Sequence, residues 1–172
     1  MLTPLVMTLI GPDRTGLVEK VARTVSEHGG NWLESRMCRL GGEFAGILRL
    51  EVPESNKAAL LSALQGIPDL NVIGRPDRKT VPASGARQTT LELVGSDRPG
   101  IVREITGALA RARVNVEEFS SEVISAPMSG ETLFQAKARL QLPADCDLAL
   151  LKKDLEKIAA DLLVDISFAE TP

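Results

Sequence analysis

Tyrosine is absent from this chain, tryptophan occurs once and phenylalanine four times. So few rings leave little platform for stacking bases, which speaks against a binder of single-stranded nucleic acid. An excess of positive charge is missing too. The net charge is −3 and the sequence pI about 5.3, whereas proteins that grip the phosphate backbone are usually basic, so no direct nucleic-acid contact is expected.

Cysteine is scarce: Cys38 and Cys146 stand alone. Two scattered thiols are no disulfide framework, and a reduced, cytoplasmic setting is expected. No run approaches the roughly 18 apolar residues of a membrane helix, and no basic segment followed by an apolar one marks a signal peptide, so no membrane partner is expected. Histidine occurs once, as His28. That rules out a duplicated histidine-based catalytic site, and a lone histidine near a helix end reads as a favourable terminal charge. Metal ligands are too dispersed for a zinc cluster. The G-x-x-x-x-G-K-[ST] phosphate loop is missing, and no nucleophile sits beside a base. The expectation is a protein that is not an enzyme, with no metal and no cofactor.

What is present is an ordinary globular profile. The chain has 172 residues, 44% apolar and 25% charged, enough for one medium domain or two small ones. A repeat decides between them. "IGPDRTGLV" (Ile10–Val18) returns as "VGSDRPGIV" (Val94–Val102), shifted by 84 residues. Gly11, Asp13, Arg14, Gly16, Asn31 and Glu34 fall on Gly95, Asp97, Arg98, Gly100, Asn115 and Glu118. After an insertion the shift becomes 90, and Arg49, Leu50 and Pro53 fall on Arg139, Leu140 and Pro143. A repeat of this length means two units.

Each unit reads alike. A short apolar run, "LVMTLIG" (Leu5–Gly11), predicts a buried strand. Leu17, Val18, Val21, Ala22 and Val25 share one face of a helix, as do Ile101, Val102, Ile105, Thr106 and Leu109. "GGNW" stops the first helix. Trp32–Leu40 and Phe44–Val52 flank Gly41-Gly42 and predict a hairpin, with Phe44, Gly46, Leu48, Leu50 and Val52 facing inward. In the second unit the hairpin loop is the longer "SAPMSGE". A second helix follows over Ala58–Leu64 and about Leu148–Ala160. "LNVIG" and "LLVDISF" close the units as strands. The order β-α-β-β-α-β, twice, is the split βαβ, ferredoxin-like pattern of an α+β protein. Antiparallel four-stranded sheets with helices on one face are expected. The predicted domains are residues 1–75 and 88–170, with a linker over 76–87 inside the Pro- and Gly-containing, basic "RPDRKTVPASGARQ".

The repeated turn has its own chemistry. Asp13 and Asp97 are expected as N-caps, with Pro99 in the first helical turn. Gly16 and Gly100 would leave the helix start open to close approach, and its free N–H groups suit a carboxylate. Arg14 and Arg98 could meet such a carboxylate, or lie against nearby glutamates.

"GPDRTGLVEKVARTVSEHGGNW" and "GSDRPGIVREITGALARARVNV" resemble the first strand-turn-helix of ACT domains, small regulatory modules that bind amino acids, and the resemblance covers nearly the whole chain. It implies an effector held by the turn after the first strand and by the start of the second strand of a neighbouring unit. Carried over, the contacts are Asp13, Arg14, Thr15 and Gly16 with Asn31 and Trp32, and Asp97, Arg98, Pro99 and Gly100 with Asn115 and Val116. Pro99 for Thr15 and Val116 for Trp32 make the two sites unequal. The implied partners are a small amino acid, glycine first, a DNA-binding transcription regulator governing glycine cleavage genes, and further copies of the chain. A scaffold whose open sheet edges pair without any ligand, or an allosteric subunit of an enzyme, fits the same residues.

Overall fold

The computed structural model describes residues 1–78, 85–125 and 130–170. The chain divides into two compact units, Met1–Thr80 and Val81–Pro172. Residues 79–84 of the expected linker, and 126–129 of the longer hairpin loop, lie outside the described residues.

Unit 1 runs β1 (Leu2–Pro12), α1 (Leu17–Glu27), β2 (Asn31–Leu40), β3 (Glu43–Pro53), α2 (Lys57–Gln65) and β4 (Asn71–Pro76). Unit 2 repeats the order with β5 (Arg87–Ser96), α3 (Ile101–Arg111), β6 (Asn115–Ser125), β7 (Thr132–Leu142), α4 (Leu148–Leu162) and β8 (Val164–Glu170). The sheets are antiparallel, ordered β2-β3-β1-β4 and β6-β7-β5-β8. This is the expected α+β, ferredoxin-like arrangement, twice.

Each sheet buries one face under its own two helices. In unit 1, Leu5, Met7 and Leu9 of β1 and Leu48, Leu50 and Val52 of β3 join Leu17, Val21 and Val25 of α1 and Leu60 and Leu64 of α2 in one core. In unit 2, Leu91, Leu93, Ala136, Ala138 and Leu140 meet Ile105, Leu109, Leu151 and Leu155. The period-2 strand pattern is followed closely. Helix α1 is narrower than its sequence suggests: Leu17, Val21 and Val25 are buried, but Val18 and Ala22 are exposed, so the stripe is i, i+4, i+8.

The hairpin turn is as expected, with Gly41 at φ 60° and Gly42 at φ 86°. Gly29, past the end of α1, takes φ 70°, and Arg113 takes the same place after α3 at φ 57°. His28 caps α1: its Nδ1 lies 2.8 Å from the Thr24 carbonyl, and its own carbonyl accepts from Asn56.

Candidate functional site: the repeated helix-start turn

The turn follows β1 and precedes α1, and again follows β5 and precedes α3. Its first glycine is demanded by packing. A Cβ on Gly11 would stand 2.5 Å from the Asp69 carbonyl oxygen, and one on Gly95 2.6 Å from that of Leu163. Here the strand crosses the segment leading into β4 or β8, and only hydrogen fits.

Two expectations need correction. Asp13 and Asp97 do not cap the helices. The cap positions belong to Gly16 and Gly100, at φ 86° and 98°, and neither helix start has a side-chain cap. The left-handed backbone at the last turn residue carries Asp13 three residues too early to reach the cap. Instead the Asp13 N–H donates to the Gly42 carbonyl at 2.9 Å, and its carboxylate meets Arg39 of β2 at 2.8 Å. The Asp97 N–H likewise donates to Thr132. Pro99 lies in the turn, two residues before α3 begins, and not in the first helical turn.

Arg14 is taken up within its own unit, by an aspartate and not a glutamate. Its Nη2 donates to Asp69 at 2.8 Å and to the Pro68 carbonyl at 2.9 Å. Arg98 differs. Strand pairing sets Ile10 opposite Asn71 and Val94 opposite Asp165, so Leu163 stands where unit 1 has Asp69. Both residues are left-handed, at φ 60° and 57°. The acid is gone, and among the described residues the Arg98 side chain has no ion pair or hydrogen bond.

Each helix start opens on a hollow. In unit 1 it measures about 300 Å³, walled by Asp13, Arg14, Gly16, Val18 and Phe44. In unit 2 it is about 440 Å³, walled by Asp97, Arg98, Gly100, Arg103 and Phe134. An uncapped helix N-terminus, a cation and an aromatic wall together suit a small carboxylate. Thr15 and Pro99 are exposed in these turns.

The second-strand residues lie elsewhere. Asn31 pairs with Glu51, and its amide donates to that carboxylate at 3.2 Å. The turn leaves β1 at the level of Glu43, eight residues down β3. At about 3.4 Å per residue this is about 27 Å, beyond any small amino acid. Asn115 stands at the same far end of its sheet, opposite Gln141. Trp32 packs on the core of unit 1 and walls a separate 310 Å³ hollow with Val18, Ala22 and Gly30. Val116 packs against the core of unit 2. One unit's turn and the same unit's asparagine therefore never share a small ligand. Phe44, Phe134, Asp69 and Leu163 carry no sequence signal at the motif; only the strand register brings them to the turn.

The sequence profile of the ACT domain matches residues 3–69 and 90–169. The chain belongs to the ACT domain family, as a tandem pair. It is similar to the glycine cleavage system transcriptional repressor of Escherichia coli (strain K12), 28% identical over 167 residues, covering 92% of this chain and 85% of that protein. A crystal structure of an unknown protein from Galdieria sulphuraria superposes with TM-score 0.87 at 28% identity over 100% of both chains. A second crystal structure, of a protein provisionally assigned as a glycine cleavage system transcriptional repressor, shares the fold with TM-score 0.67, 22% identity and 99% of both chains. Kinship of this kind supports a regulatory role. Among the described residues no helix is long and apolar enough to cross a membrane.

Proposed function

We propose that the chain is an amino-acid-responsive regulator that acts through protein contacts and not by catalysis. A small amino acid, glycine first among candidates, binds at a helix-start turn and changes affinity for a DNA-binding transcription regulator. The regulated genes are those of the glycine cleavage system, as the name of the Escherichia coli relative suggests.

The observation that carries this reading is Arg98. It is a guanidinium without an internal acid, beside an uncapped helix start and a hollow of about 440 Å³. The effector carboxylate pairs with Arg98 and the free N–H groups of α3. In unit 1 the same place is spoken for by Asp69, so the turn of Asp13, Arg14, Thr15 and Gly16 is the weaker site. The effector's ammonium group suits an amide oxygen, which Asn31 and Asn115 offer. Since neither asparagine reaches the turn of its own unit, that contact needs the asparagine of a second ACT unit, as the family resemblance implies.

Titration calorimetry of the full chain against a panel of amino acids tests the reading. The expected result is heat for a small amino acid, about one per chain, lost in Arg98→Gln. Leu163→Asp recreates in unit 2 the internal acid of unit 1 and is expected to weaken binding about tenfold or more, the worth of a charged hydrogen bond. Asp69→Leu releases Arg14 and is expected to strengthen or add binding in unit 1. Silence across the panel from a folded chain overturns effector binding. Regulation requires the effector to prefer one state of the protein, typically by about 1–3 kcal/mol. A gel shift of glycine cleavage promoter DNA by the regulator, with and without chain and effector, reads that coupling.

A further inference from the structure

The two sheets bury equivalent faces but show different ones to the outside. On the outer face of unit 1, one cross-strand row reads Arg36, Ile47, Thr8, Ile73 over β2-β3-β1-β4. The corresponding row of unit 2 reads Ser120, Lys137, Glu92, Ser167. Where unit 2 carries a lysine paired to a glutamate at 2.6 Å, unit 1 carries isoleucine and threonine. Ile10, Ile47 and Ile73 stand 43%, 52% and 59% exposed on this one surface. Isoleucine in the centre of an open sheet face contributes nothing to its own core and costs solubility unless something covers it.

The edges of the sheet are guarded. Edge strand β2 has a bulge between Trp32 and Glu34 and carries Glu34, Arg36 and Arg39. Edge strand β4 is six residues long and ends in Pro76. Bulges, charges and proline are the usual defences against strand-to-strand pairing. The unguarded surface is the face.

We propose that the outer face of the unit 1 sheet is a self-association surface, on which a second copy of the chain stacks the same face about a two-fold axis running along the strands. Such an axis keeps each row at its own level and reverses the strand order. The next row reads Glu34, Arg49, Val6, Arg75. Reversed on itself, it sets Glu34 against the partner's Arg75, and Arg75 against the partner's Glu34. Arg75 has no ion pair within its own chain among the described residues. Arg49, on a central strand of that row, is already neutralised by Asp77 at 2.8 Å, and Glu34 meets Arg36 of its own strand at 3.3 Å in a contact exposed on both sides, which leaves the carboxylate open to a second cation. The Glu34/Arg75 row is thus charge-complementary to itself across the two-fold, the central strands bring Ile47 and Ile10 against Thr8 and Ala45, and Arg36 lies at the rim along the partner's Ile73. Three strands of about ten residues and the six-residue β4, about 4.8 Å apart, give a face of about 590 Å² before side-chain relief, below the roughly 800 Å² per partner of a standard interface but in the range of a weak, reversible one. Stacking at the aligned sheet angle of about −30° keeps the long Glu and Arg side chains within reach.

Sedimentation velocity of the full chain from about 1 to about 200 µM, where an interface of this size is expected to dissociate, tests the proposal. The expected result is a reversible monomer–dimer equilibrium. Ile47→Lys with Ile73→Ser installs the residue types that unit 2 carries at those places, so the fold is expected to persist, as circular dichroism and the melting curve check. Dimerisation is expected to weaken at least about 100-fold. Glu34→Arg and Arg75→Glu are each expected to weaken it about tenfold, and together to restore it. A wild-type chain that stays monomeric throughout overturns the proposal and leaves the face to another occupant. A dimer indifferent to the isoleucine pair overturns it in favour of edge pairing, and a charge-reversed pair that fails to restore association overturns the two-fold alignment.

Discussion

Gly11 and Gly95 are the residues of the repeated turn with least freedom to change. Their missing Cβ atoms are replaced by the backbone of Asp69–Leu70 and Leu163–Val164. Gly11→Ala and Gly95→Ala are expected to cost about 1–3 kcal/mol each, the usual range for overpacking, measured by urea unfolding. Gly16 and Gly100 are glycine for a different reason. Nothing lies within 4 Å of an added Cβ, so only the left-handed backbone selects them. Arg113 occupies a left-handed position without that licence, and its contact with Asp145 is exposed on both sides. Arg113→Gly is expected to stabilise the chain by about 0.5–1 kcal/mol, the net of relieved backbone strain and added unfolded-state entropy, read as a higher urea midpoint. The motif was legible as a repeat, but not the division of labour within it. Arg14 meets an aspartate 55 residues away, and no local pattern announces a contact of that span. The helix caps depart from the sequence signal for a related reason: Asp at a turn before a helix is the common cap, and here a left-handed glycine displaces it.

At the scale of elements, strands followed their sequence more faithfully than helices. In β3, Leu48, Leu50 and Val52 are fully buried, as strict alternation predicts. In α1, Val18 belongs to the apolar set by composition but stands 43% exposed, because three residues at four-residue spacing already fill the contact with the sheet. The β2–β3 hairpin turns on Gly41-Gly42 with the φ values of the mirror-image tight turn. Asparagine tolerates the first of these positions and restricts the unfolded chain more than glycine does. Gly41→Asn is therefore expected to add about 0.5 kcal/mol in a urea titration, with an unchanged circular dichroism spectrum. Both edge strands β2 and β6 bulge at the same step, Trp32/Glu34 and Val116/Glu118, an irregularity the sequence did not announce because both strands read as continuous.

At the scale of the molecule, among the described residues every sheet pairing closes within its own unit, and each unit has its own core. Leu50 of unit 1 and Leu140 of unit 2 are equivalent and fully buried. Leu50→Ala and Leu140→Ala are each expected to remove about 2–5 kcal/mol from the unit concerned. Calorimetry is expected to show the melting of that unit moving down while the other unit's transition stays nearer its place; a single transition shifting intact would mean that the units unfold as one. The doubled architecture was readable from the spacing of one motif. What could not be read was the inequality of the copies, since the differences that matter, Asp69 against Leu163 and Ile47 against Lys137, lie on strands and connections the motif does not include.

The Lys137–Glu92 face of unit 2 has a consequence for growth. A molecule adhesive on both of its sheets could go on recruiting neighbours in an open, non-closing assembly. On the proposed self-association, charge on one copy of the duplicated sheet would leave a single adhesive face, which joining uses up, so that assembly would halt at a pair.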